Sequence, residues 1–294
     1  MASDQNRTQA LFDKLQHISR LSSSAKPDTI HQLRTTIRRV ETLLAATGPA
    51  LGRKEQKLLK QLDRLRRRAG KVRDLDVQIQ ALGSLRLESI IRDRARVMSF
   101  LRQARAKREK KLLRTLQDEV DAGLRRRLKR TSTRLKQELP KPAQQQAAET
   151  RFLAAALDKF AAVVNRYPAL TEGNLHNFRM DCKRVRYLAE MAGESPKVAA
   201  VVEQLKRIQD AIGVWHDWLT LTATAEWALS GSGQVPLLSA LRASARSKYL
   251  EALRVTGDAK QVLLAMLEPQ RNLRKPVLSS GSEAKALAEG AATA

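Results

Sequence analysis

One sequence feature constrains this fold more than any other, a helical pattern that occurs twice. Ile30-His31-Gln32-Leu33-Arg34-Thr35-Thr36-Ile37-Arg38-Arg39-Val40 returns in the second half as Leu175-His176-Asn177-Phe178-Arg179-Met180-Asp181-Cys182-Lys183-Arg184-Val185. At about 100° per residue, a helix brings the His, the Arg three later and the base seven later within roughly 60° of one another. Leu33, Ile37, Val40 and Leu44 fall on the opposite face, as do Phe178, Cys182, Val185 and Ala189. Each copy is an amphipathic helix with an apolar back and a front of one imidazole and three cations. The back alone is enough to dock the helix. The duplicated front asks for a functional reason.

The repeat extends further. Gln61-Leu62-Asp63-Arg64-Leu65 aligns with Gln204-Leu205-Lys206-Arg207-Ile208, and Gly70-x-x-Arg73-Asp74-Leu75 aligns with Gly213-x-x-His216-Asp217-Trp218. A repeat of this period predicts two similar antiparallel helical bundles related by a pseudo-two-fold axis. Such an axis turns the cationic fronts toward each other, so that they line one basic groove. The remaining composition also points to an all-α fold. Aromatics make up only 4%, while Leu, Ala, Arg, Lys, Gln and Glu dominate, and strand-like alternation is nowhere sustained.

Lys and Arg number 55 against 30 acids, a formal charge of +25. Self-repulsion of that size opposes compaction, so it points to a polyanionic partner: nucleic acid, an anionic membrane face or a phosphate polymer. Because the bases recur in a pattern, a merely solvated basic surface is the weaker reading. The lone Cys182 on an apolar face excludes an internal disulfide and reads as a small core residue. There is no leader-like stretch and no run long enough to span a bilayer, so no membrane partner and a cytoplasmic location are expected.

Helices are expected over 6–21, from Asp28 as N-cap to about Thr47, and over 55–69, where Gly70 breaks the chain before a new helix at Val72. The stretch 84–139 reads as one long helical pattern folded back near Asp121-Ala122-Gly123, its outer faces thick with bases. Pro140-Lys141-Pro142 and the following glutamines make 140–146 a linker. It divides one domain over 5–268 into a first half, 5–139, and a second half, 147–268. In the second half, helices are expected over 148–165, 172–192 and 198–211, with a break near Gly213 and a new start at Val214. After a loop over 230–236, one helix runs to about Val255 and another over 257–267. The tail 269–294 loses its apolar period and is expected to be disordered.

Two ordered copies of His-x-x-Arg-x-x-x-(Lys/Arg)-Arg, each followed by Gly-x-x-x-Asp, resemble the CHAD domain, the conserved histidine α-helical domain. The matching residues are His31, Arg34, Arg38, Arg39 and Asp74, then His176, Arg179, Lys183, Arg184 and Asp217. The resemblance implies an all-helical fold of two similar bundles that binds inorganic polyphosphate in a central basic groove, on polyphosphate granules in the cytoplasm. Arg186 continues the second motif with a further base, whereas the first continues with Glu41, which weakens that edge of the groove for an anion. Many relatives carry a triphosphatase domain with a Glu-x-Glu-x-Lys signature. That signature is absent here, so a non-enzymatic binder without metal or cofactor is expected.

The chemistry suits such a polymer. Arg offers a planar fork to two phosphate oxygens and Lys a mobile point charge. Single-stranded nucleic-acid sites usually add aromatic stacking platforms, and aromatics are scarce among these bases. Arg64, Arg73, Lys206 and Arg207 are further candidates for the groove. Asp74 and Asp217 read as structural acids that hold groove arginines or cap the helices after Gly70 and Gly213; Asp76 is read the same way. The run 125–130 reads as an outer face, and Trp215 and Trp218 as packing. The alternatives are a basic helical protein that binds nucleic acid nonspecifically and, less favoured, an enzyme acting on phosphorylated substrates.

Overall fold

The computed structural model describes residues 4–18, 26–46, 52–86, 90–138, 142–193, 195–230 and 235–274. Among them are nine helices and no strand: α1 (Asp4–Ile18), α2 (Pro27–Ala46), α3 (Arg53–Ser84), α4 (Ile91–Glu119), α5 (Ala122–Glu138), α6 (Pro142–Arg166), α7 (Leu175–Glu190), α8 (Pro196–Ala228) and α9 (Pro236–Arg274). The all-α expectation holds.

Three apolar cores organise these helices. The first buries Phe12, Leu15, Leu33, Ile37, Leu62, Leu65, Leu116 and Leu128 between α1, α2, α3, α4 and α5. The second buries Phe160, Phe178, Cys182, Leu205, Trp215 and Leu263 between α6, α7, α8 and α9. The third joins the halves, since Leu82, Val97 and Leu101 of α3 and α4 pack with Leu221, Ala225, Leu237 and Leu241 of α8 and α9. The packing order repeats: α2 lies on α3 and α3 on α4, just as α7 lies on α8 and α8 on α9, while α3 and α8 meet each other.

Several expected breaks are continuous helix. α3 runs through Gly70 and α8 through Gly213. An internal Gly costs a helix about 1 kcal/mol relative to Ala. Leu62, Leu65, Ala69 and Val72 stay in phase and fully buried across Gly70, as do Leu205, Ile208, Ile212 and Trp215 across Gly213, and that burial outweighs the penalty. α9 is likewise unbroken, with Ala252, Thr256, Ala259 and Leu263 buried in phase.

The helix does break at Val120, with φ −90° and ψ 61°, and Asp121 Oδ1 restarts it by accepting from Leu124 N at 2.5 Å. However, α5 does not fold back along α4. It packs on α1 and α3 because Leu124, Leu128 and Leu135 complete the core that Leu112 and Leu116 begin. Asp28 lies in the first turn of α2 rather than capping it, because Pro27 already opens the helix. The expected linker is helical from Pro142 onward, and the expected disordered tail is helical as far as Arg274. Residues 139–141 and 275–294 lie outside the described residues.

Candidate functional site

The two His helices are α2 and α7, and their apolar backs are fully buried: Leu33, Ile37 and Val40 on one, Cys182, Val185 and Ala189 on the other. This fixes the direction of the fronts. His31 and His176 are exposed, while Arg34, Arg38, Arg179, Lys183 and Arg186 are half-buried.

Each motif arginine lies over a glycine of the next helix. A Cβ added at Gly70 would sit 3.8 Å from Arg34 Nε, and one at Gly213 would sit 3.0 Å from Arg179 Nη2. The glycines therefore do not terminate their helices. Gly213 lets Arg179 cross close to the backbone, whereas Arg34 passes Gly70 at an ordinary contact distance. Arg179 is anchored there by its Nε donating to the Gln209 carbonyl at 2.9 Å. Arg34 instead reaches Asp74 Oδ1 at 3.6 Å, the acid one turn beyond Gly70. The expected role of Asp74 as a partner of a motif arginine thus has its ion pair. The capping role for Asp74 and Asp217 falls away, since both lie inside continuous helices.

The cations of the two halves feel one another. Burial, then Arg38, Arg179, Arg34 and Arg186, push the Lys183 ammonium down to about 7. Burial and the neighbouring Arg34 push Arg38 down to about 10, with the Tyr187 phenol acting in the opposite direction. Arg179 is lowered too, by burial against the opposing pull of Asp217. Across the same junction, burial raises the Asp217 carboxyl to about 6 against the pull of Arg179, with Asp74 adding to the rise. Removal from water is the largest cause in each case, and like charge adds to it for Lys183 and Arg38.

The equivalents of the histidines' neighbours differ between the halves. The His31 imidazole is held below its ordinary value by partial burial, then by Arg73 and Arg34. At the matching place in the second half, His216 lies against His176 with ring centroids 4.7 Å apart and planes tilted by 42°. His216 is lowered by burial, then by His176 and Arg179. This pairing spans two helices and was not legible from sequence spacing. Two rings alone do not make a metal site, and no group of three His, Cys, Asp or Glu residues suited to a metal occurs among the described residues.

Not every sequence candidate joins this cluster. Arg73 does, through its effect on His31 and Asp217. Arg64 instead forks onto Glu119 of α4, with Nε 2.5 Å from Oε1. Lys206 pairs with Glu203 at 3.7 Å, and Arg207 Nη1 donates to Gln204 at 3.0 Å; both are exposed on α8. Arg184 is held within α7, where the buried Asp181 accepts from Arg184 Nη1 at 2.8 Å and also from Tyr167 Oη at 3.1 Å and from Arg166 Nη1, at the end of α6, at 3.3 Å. Arg39 is exposed and acts on Glu190 of α7. Asp76 is committed to Arg105 of α4 at 2.6 Å.

Glu41 is neutralised by Arg66, 2.8 Å away, so it does not face the motif bases as a free carboxylate. Tyr187 was missed by the sequence reading. Its ring lies under Arg186 at 5.5 Å and Lys183 at 5.9 Å. Its helical offset from Lys183 was the available signal, but spacing alone does not distinguish such a platform from ordinary packing. The Cys182 thiol is buried and pushed upward by that burial, as an inert core residue should be.

This arrangement offers several forked donors and one adjustable ammonium to an anion approaching α2 and α7 together. No curated protein matches the sequence. The fold is similar to the crystal structure of the CHAD domain from the plant Ricinus communis, with TM-score 0.56, 16% identity and 89% of each chain covered. It is also similar to PptA from Streptomyces chartreusis, with TM-score 0.62, 17% identity, and 87% of this chain and 97% of that one covered. At those identities the likeness speaks to the fold alone. The family model for the CHAD domain matches residues 7–226, which span both His helices and both Gly-x-x-x-Asp elements, and the chain belongs to that family.

Proposed function

We propose that this chain binds inorganic polyphosphate in a basic groove between its halves, and that binding docks it on polyphosphate granules in the cytoplasm. On this reading the groove walls are α2 and α7, its floor is the α3–α8 junction, and the halves are related by a pseudo-two-fold axis. Arg34, Arg38, Arg179, Lys183 and Arg186 carry the contacts, with His31, His176 and Arg73 at the margins. Arg39 and Arg184 contribute long-range charge. On this reading the protein is a binding module rather than an enzyme: the cluster holds the polymer and does not turn it over.

The observation that carries this reading is the gathering of cations from both halves around Lys183, whose ammonium is lowered first by burial and then by Arg38, Arg179, Arg34 and Arg186. Half-buried cations crowded together destabilise the fold, and an anionic ligand that neutralises them offsets that cost. A linear polymer with charge on every unit needs closely spaced donors and no base-reading surface. Tyr187 alone among the described aromatics lies against these cations, fewer platforms than a nucleic-acid strand usually uses.

A competition titration tests the reading. Labelled long-chain polyphosphate is bound at physiological salt and challenged with DNA and RNA at phosphate concentrations from parity to about a hundredfold excess. Retention of polyphosphate against roughly a hundredfold excess, about 2.7 kcal/mol of preference, supports the groove. Displacement at parity would reduce the interaction to net charge and bring nucleic acid forward as the partner.

A further inference from the structure

A second concentration of positive charge lies away from the His helices, at the start of α3 and along α5. Arg53, Lys54 and Lys57 of α3 face Arg126, Arg127 and Arg130 of α5 across a cavity of about 480 Å³, with Gly123 at its edge. The spacing has a simple origin. Arg53 and Lys57 are one turn apart on α3, as Arg126 and Arg130 are on α5, so each pair projects from a single face. Leu124 and Leu128 behind them are buried in the first core and fix the direction of α5.

The wall is built rather than incidental. Arg127 is held down with 17% of its side chain exposed, its Nη2 lying 3.6 Å from Asp121 Oδ1. Its Nε is buried without a hydrogen-bond partner. Gly123 leaves room for this pair, since a Cβ there would stand 2.9 Å from Asp121 Oδ2 and 3.1 Å from Arg127 Nη1. Asp121 is itself committed, because Oδ1 accepts from Leu124 N and restarts α5. Among the described residues, Arg53, Lys54, Lys57, Arg126 and Arg130 are exposed and have no acid within ion-pair distance. No carboxylate lines the cavity; of the nearby acids, Asp121 is engaged at its edge and the buried Glu55 of α3 pairs with Arg134.

We propose that this cavity is a second anion site, separate from the groove, that takes a short run of condensed phosphate. Six mobile or forked donors around one small volume match an anion of high charge density. The lining holds no aromatic ring to stack on a base and no amide or hydroxyl side chain to read a sugar. At 1.5 Å per residue, Lys57 lies about 20 Å along α3 from Gly70, so a triphosphate in the cavity does not touch the motif bases. The site stands whether or not the groove binds polymer.

The test uses the full chain with the groove cations removed (Arg34→Ala, Arg179→Ala, Lys183→Ala) and inorganic tripolyphosphate as the probe in calorimetry. The proposal expects this variant to retain one-site binding. Adding Lys57→Gln, Arg126→Gln and Arg130→Gln should then weaken affinity by at least about tenfold, a modest loss for charge-assisted contacts. Adding instead Arg102→Gln, Lys107→Gln and Arg108→Gln, three exposed cations of α4, should change it by less than about twofold. Equal losses from the two triples would overturn the proposal in favour of bulk charge. So would an absence of binding to the groove-depleted chain. A single-stranded oligonucleotide that displaces tripolyphosphate at matched phosphate concentration would overturn it as well, assigning the cavity to a nucleic-acid backbone.

Discussion

Gly213 and Lys183 show how individual side chains set this site. Gly213→Ala places a Cβ 3.0 Å from the Arg179 guanidinium, whereas Gly70→Ala meets Arg34 at an ordinary 3.8 Å. Gly70→Ala should therefore gain about 0.5–1 kcal/mol of helix stability and leave polyphosphate affinity nearly unchanged. Gly213→Ala should lose most of that gain and weaken binding as Arg179 leaves the Gln209 carbonyl. Thermal melts and titrations of the two variants check the asymmetry.

Lys183 gives the pH dependence. Its folded value of about 7 lies below the ordinary 10.5. Below pH 7 it is charged in both folded and unfolded chains, and the fold carries the whole penalty. Between those values the unfolded chain holds more protons, so stability should rise with pH, and Lys183→Met should flatten that rise. A bound polyanion favours the ammonium, so binding should take up a proton above pH 7. Affinity should then fall by up to about tenfold per pH unit until the bound lysine also titrates. A pH series of titrations, with Lys183→Met as the flat reference, measures this.

The cationic fronts themselves were legible in the sequence because helical phase alone decides which residues share a face. The direction of Arg64, Arg184, Lys206 and Arg207 was not. Each is captured by an acid or amide whose position follows from local helix turns or from packing of another helix, and the repeat does not carry that information. The His176–His216 contact has the same origin.

Among the elements, α3 and α8 matter most, because each carries its glycine, its acid and its share of the joint core on one unbroken rod. Composition read Gly70 and Gly213 as breaks since propensity is a local quantity. That Gly213 makes room for Arg179 appears only once α7 is docked. The turn between α4 and α5 was visible as Asp121 and Gly123, but the path of α5 was decided by the core it completes. Along α3, the buried Asp76 pairs with Arg105 at 2.6 Å and ties the helix to α4. Asp76→Ala should cost about 3 kcal/mol, the low end for breaking a buried pair, because Glu109 still neutralises Arg105. Chemical denaturation of that variant measures the loss. Polyphosphate affinity should change little, since Asp76 stands outside the motif cluster.

For the molecule as a whole, the third core decides whether the halves behave as one unit. Leu82, Val97 and Leu101 pack with Leu221, Leu237 and Leu241, so the halves should melt in one cooperative transition. Leu221→Ala, truncating a fully buried side chain, should cost about 2–5 kcal/mol and lower the melting of both halves together. Calorimetry that resolves two independent transitions in the unaltered chain would contradict this coupling. The same junction holds the α3–α8 contact, so loosening it should weaken any ligand that needs cations from both halves.

That dependence on both halves can be measured directly. Titrations with long-chain polyphosphate, in a chain already carrying Lys57→Gln, Arg126→Gln and Arg130→Gln, would compare Arg34→Ala with Arg179→Ala, singly and together, against the charge-matched pair Arg102→Ala and Arg108→Ala. Losing two charge-assisted contacts should weaken binding by about a hundredfold, with each single variant already impaired, while the α4 pair changes it by less than about twofold. Equal losses from the two pairs would contradict a shared groove and leave only the overall positive charge.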